Sequence, residues 1–370
     1  MNTDILEALL STKRDHPAIA VVRTAAMPLY PLILLGIKLS LAAKARASKS
    51  LPRPVISVGN ITAGGTGKTS FVRLLLELVE RKGLKTAVLS KGYKRTTRGL
   101  VEVGRTGGTI SGYSVCGDEP YMMANWRTGA SIFIHDDLYE AGLAAVRRDC
   151  PDVFILDDGF QHVRLKRDLD VVLLDATNPF DNGRLLPFGL LREPMSALRR
   201  SSLIVLTRCN QSDLVDATQR IVEDAAPGIP VIKAVHQADS IHSSDGHLFD
   251  LAKLGNKSVY VFSGIGNPFS FYITVLECGA RIKGARVFPD HHPYSSDDLL
   301  KLEEEARRSG ADWLLTTEKD MVRIARASLS IPLCALAVKL RIISGMKELE
   351  SAVENVLNPN AFRCRIGGAE

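Results

Sequence analysis

A chain of 370 residues, 45% hydrophobic and 24% charged, is long enough for two α/β cores, and its ordinary composition argues against a low-complexity or repeat-built protein. Its formal net charge of +6, with a pI near 9.0, calls for an acidic partner but leaves nucleotides, nucleic acid and anionic lipid head groups open. The six cysteines lie far apart with no CxxC pair, which argues against a zinc site and a secreted disulfide framework and fits a reducing cytosol.

Residues 1–50 are expected to form an N-terminal helical segment, and its unusual part runs from about Ala18 to Lys49. Pro31 is placed to start a helix, and Leu32 to Ala47 is apolar nearly all round, broken by Lys38, Ser40, Lys44 and Arg46. The longest uncharged run, Thr24 to Ile37, falls short of the roughly 20 residues that span a bilayer and contains Pro28 and Pro31. A helix lying in the membrane interface is therefore expected. Lys13, Arg14, Arg23, Lys38, Lys44, Arg46, Lys49 and Arg53 outnumber Asp4, Glu7 and Asp15, which favours an anionic leaflet. The competing reading is a helical hairpin packed on its own domain or on a second subunit. No small-residue cleavage site follows a short apolar core, so this segment is expected to stay on the mature protein.

Residues 51–235 read as a phosphate-loop core. The apolar strand Val55-Ile56-Ser57-Val58-Gly59-Asn60 feeds Thr62-Ala63-Gly64-Gly65-Thr66-Gly67-Lys68-Thr69. Backbone N–H groups of such a loop close around a polyphosphate, Lys68 has the reach for the β and γ phosphates, and the Thr69 hydroxyl suits Mg²⁺. ATP or GTP is the expected ligand. Thr62 stands where the general pattern has its first Gly, but the strand before and the amphipathic run Phe71, Leu74, Leu75, Leu78, Val79 after supply the required context. Further short apolar strands are expected at Thr86 to Leu89, Ile132 to Ile134, Val153 to Leu156, Val171 to Leu174 and Leu203 to Leu206, with helical segments between most of them, the pattern of a covered parallel sheet.

Within this core, Ser90-Lys91-Gly92-Tyr93-Lys94-Arg95 puts three cations and an aromatic ring after the second strand, suited to an anionic substrate or to a solvated turn. Cys116-Gly117-Asp118-Glu119-Pro120 offers an acid able to take a proton from an attacking hydroxyl; on spacing alone a helix N-cap at Asp118 is the simpler reading. The strand ending Asp157-Asp158 is where a phosphate-loop enzyme sets acids beside Mg²⁺, and Gln161 follows within reach of the same metal or its waters. Asn182 to Pro187 and Leu191-Arg192-Glu193-Pro194 form a loop where α/β enzymes put ligand contacts.

The polar stretch His236 to Asp250 reads as a hairpin or connector, giving a linker over 236–255. A smaller α/β domain over 256–358 follows, with strands at Val259 to Phe262, Arg286 to Phe288, Trp313 to Thr316 and Cys334 to Val338, an acidic helix from Ser296 to Arg308, and a tail from 359. His291 and His292 are too close in sequence for a helical metal pair, so a hydrogen-bonding or acid/base role for one of them is expected.

With these segments in hand, the chain resembles the tetraacyldisaccharide 4'-kinase family from about residue 50 to 325: Val58-Gly59-Asn60 with the phosphate loop, Ser90 to Arg95, Gly117-Asp118-Glu119-Pro120, Asp157-Asp158-Gly159-Phe160-Gln161-His162, Leu174-Asp175-Ala176, Gly183 to Pro187, Leu191 to Pro194, Asp290-His291 and Thr317-Glu318-Lys319-Asp320, in the family's order. Thr62 in place of the first Gly is shared with that family. The resemblance implies a RecA-like P-loop core with a smaller C-terminal α/β domain and an N-terminal segment on the cytoplasmic face of the inner membrane. It implies transfer of the ATP γ-phosphate to a membrane-embedded tetraacyldisaccharide 1-phosphate in lipid A biosynthesis. Asp118 would pair with His291 across the domain cleft, Lys68 would hold the phosphates, Thr69, Asp157, Asp158, Gln161 and Glu193 would surround Mg²⁺, and Tyr93 and Arg192 would lie near the substrate.

Lys91 replaces the family's usual Arg, Lys94 a usual Gly, Ser70 the Pro after the phosphate loop, and Val163 a common basic residue, changes that bear on fine substrate contacts. A rival class, the membrane-associated ATPase switches of the partitioning or targeting type, needs a Lys just before the paired glycines, where this chain has Ala63. A nucleic-acid-binding ATPase lacks any aromatic-basic module here.

Overall fold

The computed structural model describes residues 28, 30–93, 95–105, 108–109, 112–126, 128–324 and 329–358. They form two compact units, one of residues 28–235 and 340–358 and one of residues 236–339.

The larger unit opens with α1 (Tyr30–Arg46), then β1 (Val55–Gly59), α2 (Lys68–Glu80) and β2 (Thr86–Ser90). An edge pair, β3 (Val101–Arg105) and β4 (Gly108–Thr109), precedes the short helices α3 (Tyr113–Cys116) and α4 (Asp118–Ala124). After them come β5 (Ser131–Ile134), α5 (Leu138–Asp149), β6 (Val153–Asp157), β7 (Leu169–Asp175), β8 (Leu203–Thr207), α6 (Val215–Ala225) and the start of β9 (Val231–Ser243). The sheet order is β9, β8, β7, β1, β6, β2, β5, β3, β4, and only β3 and β4 run antiparallel to their neighbours. These central strands are buried throughout and mostly apolar because both faces are covered. Alternate residues serve opposite faces: Ile56, Val88 and Ile155 pack under α2, while Leu89, Phe154 and Leu156 pack under α5. The chain order β1 to β2 skips β6, so β6 slots beside β1 with Asp157 level with Val58. This brings an acid-tipped strand next to the loop that leaves β1, at the carboxyl edge where parallel sheets bind ligands.

The smaller unit contains the rest of β9, then β10 (Leu248–Phe249), β11 (Ser258–Ser263), α7 (Pro268–Glu277), β12 (Arg281–Val287), α8 (Ser296–Ser309), β13 (Trp313–Thr317), α9 (Glu318–Met321) and the first part of β14 (Leu333–Ser344). Strands β12, β11, β13 and β14 are parallel in that order. The acidic helix α8 begins at a Ser295 and Asp298 capping box and ends at Gly310, whose φ of 68° suits the residue that stops a helix.

Two boundaries differ from the sequence expectation. Residues 236–243 are not a linker: they continue β9, whose Ile241 is buried, and the hairpin is the antiparallel β9–β10 pair. The domain expected over 256–358 loses its end, because α10 (Met346–Leu357) buries Leu349 and Val353 in the core of the larger unit.

Among the described residues, no helix is long and apolar enough to cross a membrane. Helix α1 packs Leu34 and Ile37, with Tyr30, onto its own unit and leaves Leu32, Leu35 and Leu39 at 65%, 53% and 62% exposure.

Candidate active site

The phosphate loop is shaped by backbone geometry before any ligand arrives. Gly64 and Gly67 sit at φ of 117° and 89°, the region that favours glycine, and Gly67 turns the chain directly into α2. No side chain caps α2 at Gly67, so the first-turn N–H groups face outward as an anion cradle. The rest of the loop is tied from outside: the Ala63 N–H donates to the Leu190 carbonyl at 2.7 Å, and the Thr207 hydroxyl donates to the Thr66 carbonyl at 3.0 Å. The Arg192 N–H donates to the Ile61 carbonyl, also at 2.7 Å, so the loop from Gly183 to Pro194 is the phosphate loop's outer wall. At the loop entrance, a side chain at Gly59 would meet Phe160 at 2.5 Å, which demands glycine where β1 and the Asp157-to-His162 turn touch.

Two cations converge on one carboxylate. Lys68 Nζ lies 3.5 Å from Asp158 Oδ1, and Arg192 Nη1 donates to Asp158 Oδ2 at 2.9 Å. Burial alone would raise the Asp158 pKa, but Lys68 and Arg192 outweigh it and hold the carboxyl below its ordinary value. Its neighbour behaves oppositely. Asp157 is 3% exposed, and burial, with Glu119 and Asp158 adding negative charge, pushes its pKa to about 8. Ser90 Oγ approaches its Oδ2 at 3.4 Å, while its buried Oδ1 has no hydrogen-bond partner. A cation beside an acid so placed favours its ionised form, and the orphaned Oδ1, on the strand next to the one that leads into the phosphate loop, fits Mg²⁺ held by one or two carboxylates and a nucleotide. Among the described residues no cluster of three or more His, Cys, Asp or Glu side chains forms a closed metal cage.

The other two residues expected near the metal, Gln161 and Glu193, are bonded to each other. Gln161 donates to the Asn60 carbonyl at 2.8 Å and to Glu193 Oε1 at 3.0 Å, so its oxygen is the atom suited to face a cation or its waters. Glu193 is buried and gripped through both oxygens by Arg200, at 2.7 and 3.1 Å, while the Arg200 guanidinium lies over the Phe160 ring. Sequence reasoning did not single out Arg200, since nothing in its local pattern marks it.

Asp118 is the first residue of α4, with Gly117 as N-cap, and is 6% exposed. Gly117, at φ of 91°, and Gly92 allow two backbones to meet: a side chain at Gly92 would strike the Cys116 carbonyl at 2.7 Å, and one at Gly117 the Tyr93 carbonyl at 2.9 Å. The loop bearing Lys91 and Tyr93 is thereby pressed against Gly117, the residue before Asp118. Tyr93 is 67% exposed and Lys91 also faces solvent, but Arg95 is committed to the Gly99 carbonyl and Asp136, each at 2.9 Å, so it is structural rather than a third substrate cation. Lys94 lies outside the described residues. His162 is buried, and burial followed by the Lys91 charge lowers its pKa to about 4, which keeps it neutral.

In the smaller unit the two histidines separate. His292 stacks on Phe288 at 4.5 Å and contacts Asp298 at 3.1 Å, a packing role at the start of α8. His291, at φ of 62°, is held by its N–H on the Gly264 carbonyl at 3.1 Å, with Lys319 Nζ 3.4 Å from its Nε2. His291 thus follows β12 and Lys319 follows β13, both at the carboxyl edge of that unit's sheet.

The profile of the family described as Tetraacyldisaccharide-1-P 4'-kinase (LpxK) matches residues 24–358. The tetraacyldisaccharide 4'-kinase of Geobacter metallireducens is 37% identical over 336 residues, 88% of this chain and 97% of that protein. That of Syntrophus aciditrophicus is 39% identical over 306 residues, 80% and 82% of the two chains. A crystal structure of LpxK from Aquifex aeolicus in complex with ATP superposes with a TM-score of 0.72 at 31% identity, covering 91% of this chain and all of that one. A phosphate loop with its paired acids, matched over nearly the whole chain in sequence and in structure, leaves one conclusion: the chain belongs to the tetraacyldisaccharide-1-P 4'-kinase family.

Proposed function

We propose that this chain transfers the γ-phosphoryl group of ATP to the 4'-hydroxyl of a tetraacyldisaccharide 1-phosphate, giving lipid IVA and ADP on the cytoplasmic face of the inner membrane. The observation that carries the reading is the convergence of Lys68 and Arg192 on Asp158 beside buried Asp157, at the uncapped start of α2, in a chain of this family. The sugar hydroxyl oxygen attacks the γ phosphorus, the bond to the β–γ bridging oxygen breaks, and the hydroxyl proton passes to Asp118. Lys68 leaves Asp158 for the phosphates and offsets charge as it spreads over the transferring group. Arg192 stays within reach of the same oxygens, and Tyr93, on the loop pressed against Gly117, borders the acceptor sugar. His291, carried by the smaller unit, acts in the same proton-transfer step. Mg²⁺, held by Thr69, Asp157 and Asp158 with Gln161 and Glu193 behind them, would supply neutralisation of the phosphate oxygens. The bare stripe Leu32, Leu35, Leu39, with Lys44 and Arg46 in the last turn of its helix, docks on the anionic leaflet in which the acyl chains stay.

Purified protein incubated with labelled ATP, Mg²⁺ and the disaccharide in detergent should label the lipid, and ATP turnover should depend on lipid. Lipid-independent ATP hydrolysis without labelled lipid would instead identify a switch ATPase.

A further inference from the structure

The Thr317 to Asp320 segment takes no part in the proton-transfer scheme above, yet it belongs to a densely bonded, buried polar cluster of the smaller unit. Asp320 has no exposed surface. Its Oδ1 accepts from the Gly264 N–H at 2.9 Å and the Tyr294 hydroxyl at 2.8 Å and pairs with Arg323, and its Oδ2 accepts from Thr317 Oγ1 at 2.6 Å. Arg323 Nη2 in turn donates to the Gly264 carbonyl at 3.2 Å, the same carbonyl that accepts the His291 N–H. One buried ion pair therefore clamps both sides of the Gly264 residue, and through it fixes the backbone of His291 against the first turn of α9. Lys319 lies in that turn, and its Nζ is placed 3.4 Å from His291 Nε2.

This contact has a definite chemical sense. An ammonium carries three donors and no acceptor, so it hydrogen-bonds an imidazole nitrogen only through that nitrogen's lone pair. Nε2 is then the acceptor and the proton of the neutral ring sits on Nδ1. Asp290 does not compete for Nε2. Its Oδ2 is 3.7 Å from Nε2 and its Oδ1 is 3.8 Å from Lys319 Nζ, both beyond hydrogen-bond length, so it balances the charge of the pair. We propose that Lys319, clamped in place by Asp320 and Arg323, is a positioning residue that sets the Nδ1–H tautomer of His291 and so chooses which ring nitrogen takes part in proton transfer. The proposal rests on the reading that His291 acts in the reaction.

The test uses the full-length chain in detergent with ¹⁵N-labelled histidine, and long-range proton–nitrogen spectra of the imidazoles at neutral pH, with His291→Gln to identify the ring. In the wild type and in Lys319→Arg, whose guanidinium is also donor-only, His291 should show a protonated Nδ1 and a lone-pair Nε2. Lys319→Met should move the ring toward the Nε2–H form that imidazole side chains favour in water. It should also lower kcat by about tenfold with little change in KM for ATP, because the nucleotide site lies in the other unit. A wild-type His291 protonated on Nε2, or a tautomer unchanged in Lys319→Met, overturns the proposal, and the wild-type spectrum decides even if a variant fails to fold. The underlying reading fails separately: full activity of His291→Gln would remove His291 from the reaction while leaving the tautomer result as measured.

Discussion

Asp157 and Asp158 are adjacent in sequence and opposite in electrostatics, and the difference sets a pH dependence. The Asp157 pKa is raised in the folded protein, to about 8, so its contribution to stability is complete below the unfolded carboxylate value near 4 and is lost as pH rises toward 8. Asp158 is lowered, so its contribution is present above its unfolded value and is lost as pH falls below it. Asp157→Asn should therefore gain thermal stability over the wild type increasingly from pH 5 to pH 8 in the absence of metal and nucleotide, each kcal/mol moving Tm by roughly 2–4 °C. A Tm difference that stays flat over that interval would show that Asp157 ionises freely. Lys68→Ala should keep the fold, since Lys68 begins α2 outside the apolar core, yet lose at least about 10²-fold in kcat, the scale of removing one preorganised charge from a transition state; near-normal turnover would sink the phosphate-loop assignment. Lys68 and the two acids were legible because a strand-loop-helix pattern fixes where their side chains must go. Arg200 was not, because its place over Phe160 and against Glu193 arises only when residues 160, 193 and 200 meet in three dimensions.

At the scale of elements, α1 and the Gly183 to Pro194 loop form one piece of machinery. The Tyr30 hydroxyl accepts the Leu185 N–H at 3.3 Å, and its ring meets Phe188 edge-on at 5.7 Å, so α1 rests on the loop that carries Arg192 and Glu193. Residues Leu32, Leu35 and Leu39 point the other way. Changing all three to Ser should leave stability within about 0.5 kcal/mol per site, as exposed positions do, while moving the protein from vesicles into solution. Activity on vesicle-embedded lipid should then fall more than on detergent-dispersed lipid. Sedimentation with vesicles at the wild-type level would make the stripe a packing or oligomer contact. The helix was visible in sequence through Pro31 and its largely apolar run, whereas Ala18 to Leu29 of the expected segment lies, Pro28 apart, outside the described residues. The hairpin reading of His236 to Asp250 matches the β9–β10 pair, but the length of β9 was not legible, because the polar His236, Asp239 and His242 interrupt the alternation beyond the buried Ile232 and Ala234 even though His236 and Ile241 are buried as well.

Over the whole molecule the proposed site residues are divided between the two units: Lys68, Asp118 and Asp157 on one, His291 and its proposed positioning residue Lys319 on the other. The chain passes between the units inside strands, at residues 235–236 of β9 and 339–340 of β14, and then returns Leu349 and Val353 to the first core. Cutting after residue 235 therefore does not yield an intact nucleotide unit, and the partnership of Asp118 with His291 must be tested in the full chain. If both serve one proton transfer, Asp118→Ala should lower kcat by about 10² to 10⁴, and His291→Ala by less. Equilibrium ATP affinity should stay nearly unchanged in both, since the cradle at Gly64 to Thr69 is untouched. The double variant should then be little worse than Asp118→Ala alone, because removing the acceptor already removes what His291 assists. Losses that multiply fully would mean that the two residues act in separate steps, with His291 serving acceptor binding instead, and a raised KM for the disaccharide in His291→Ala would accompany that result.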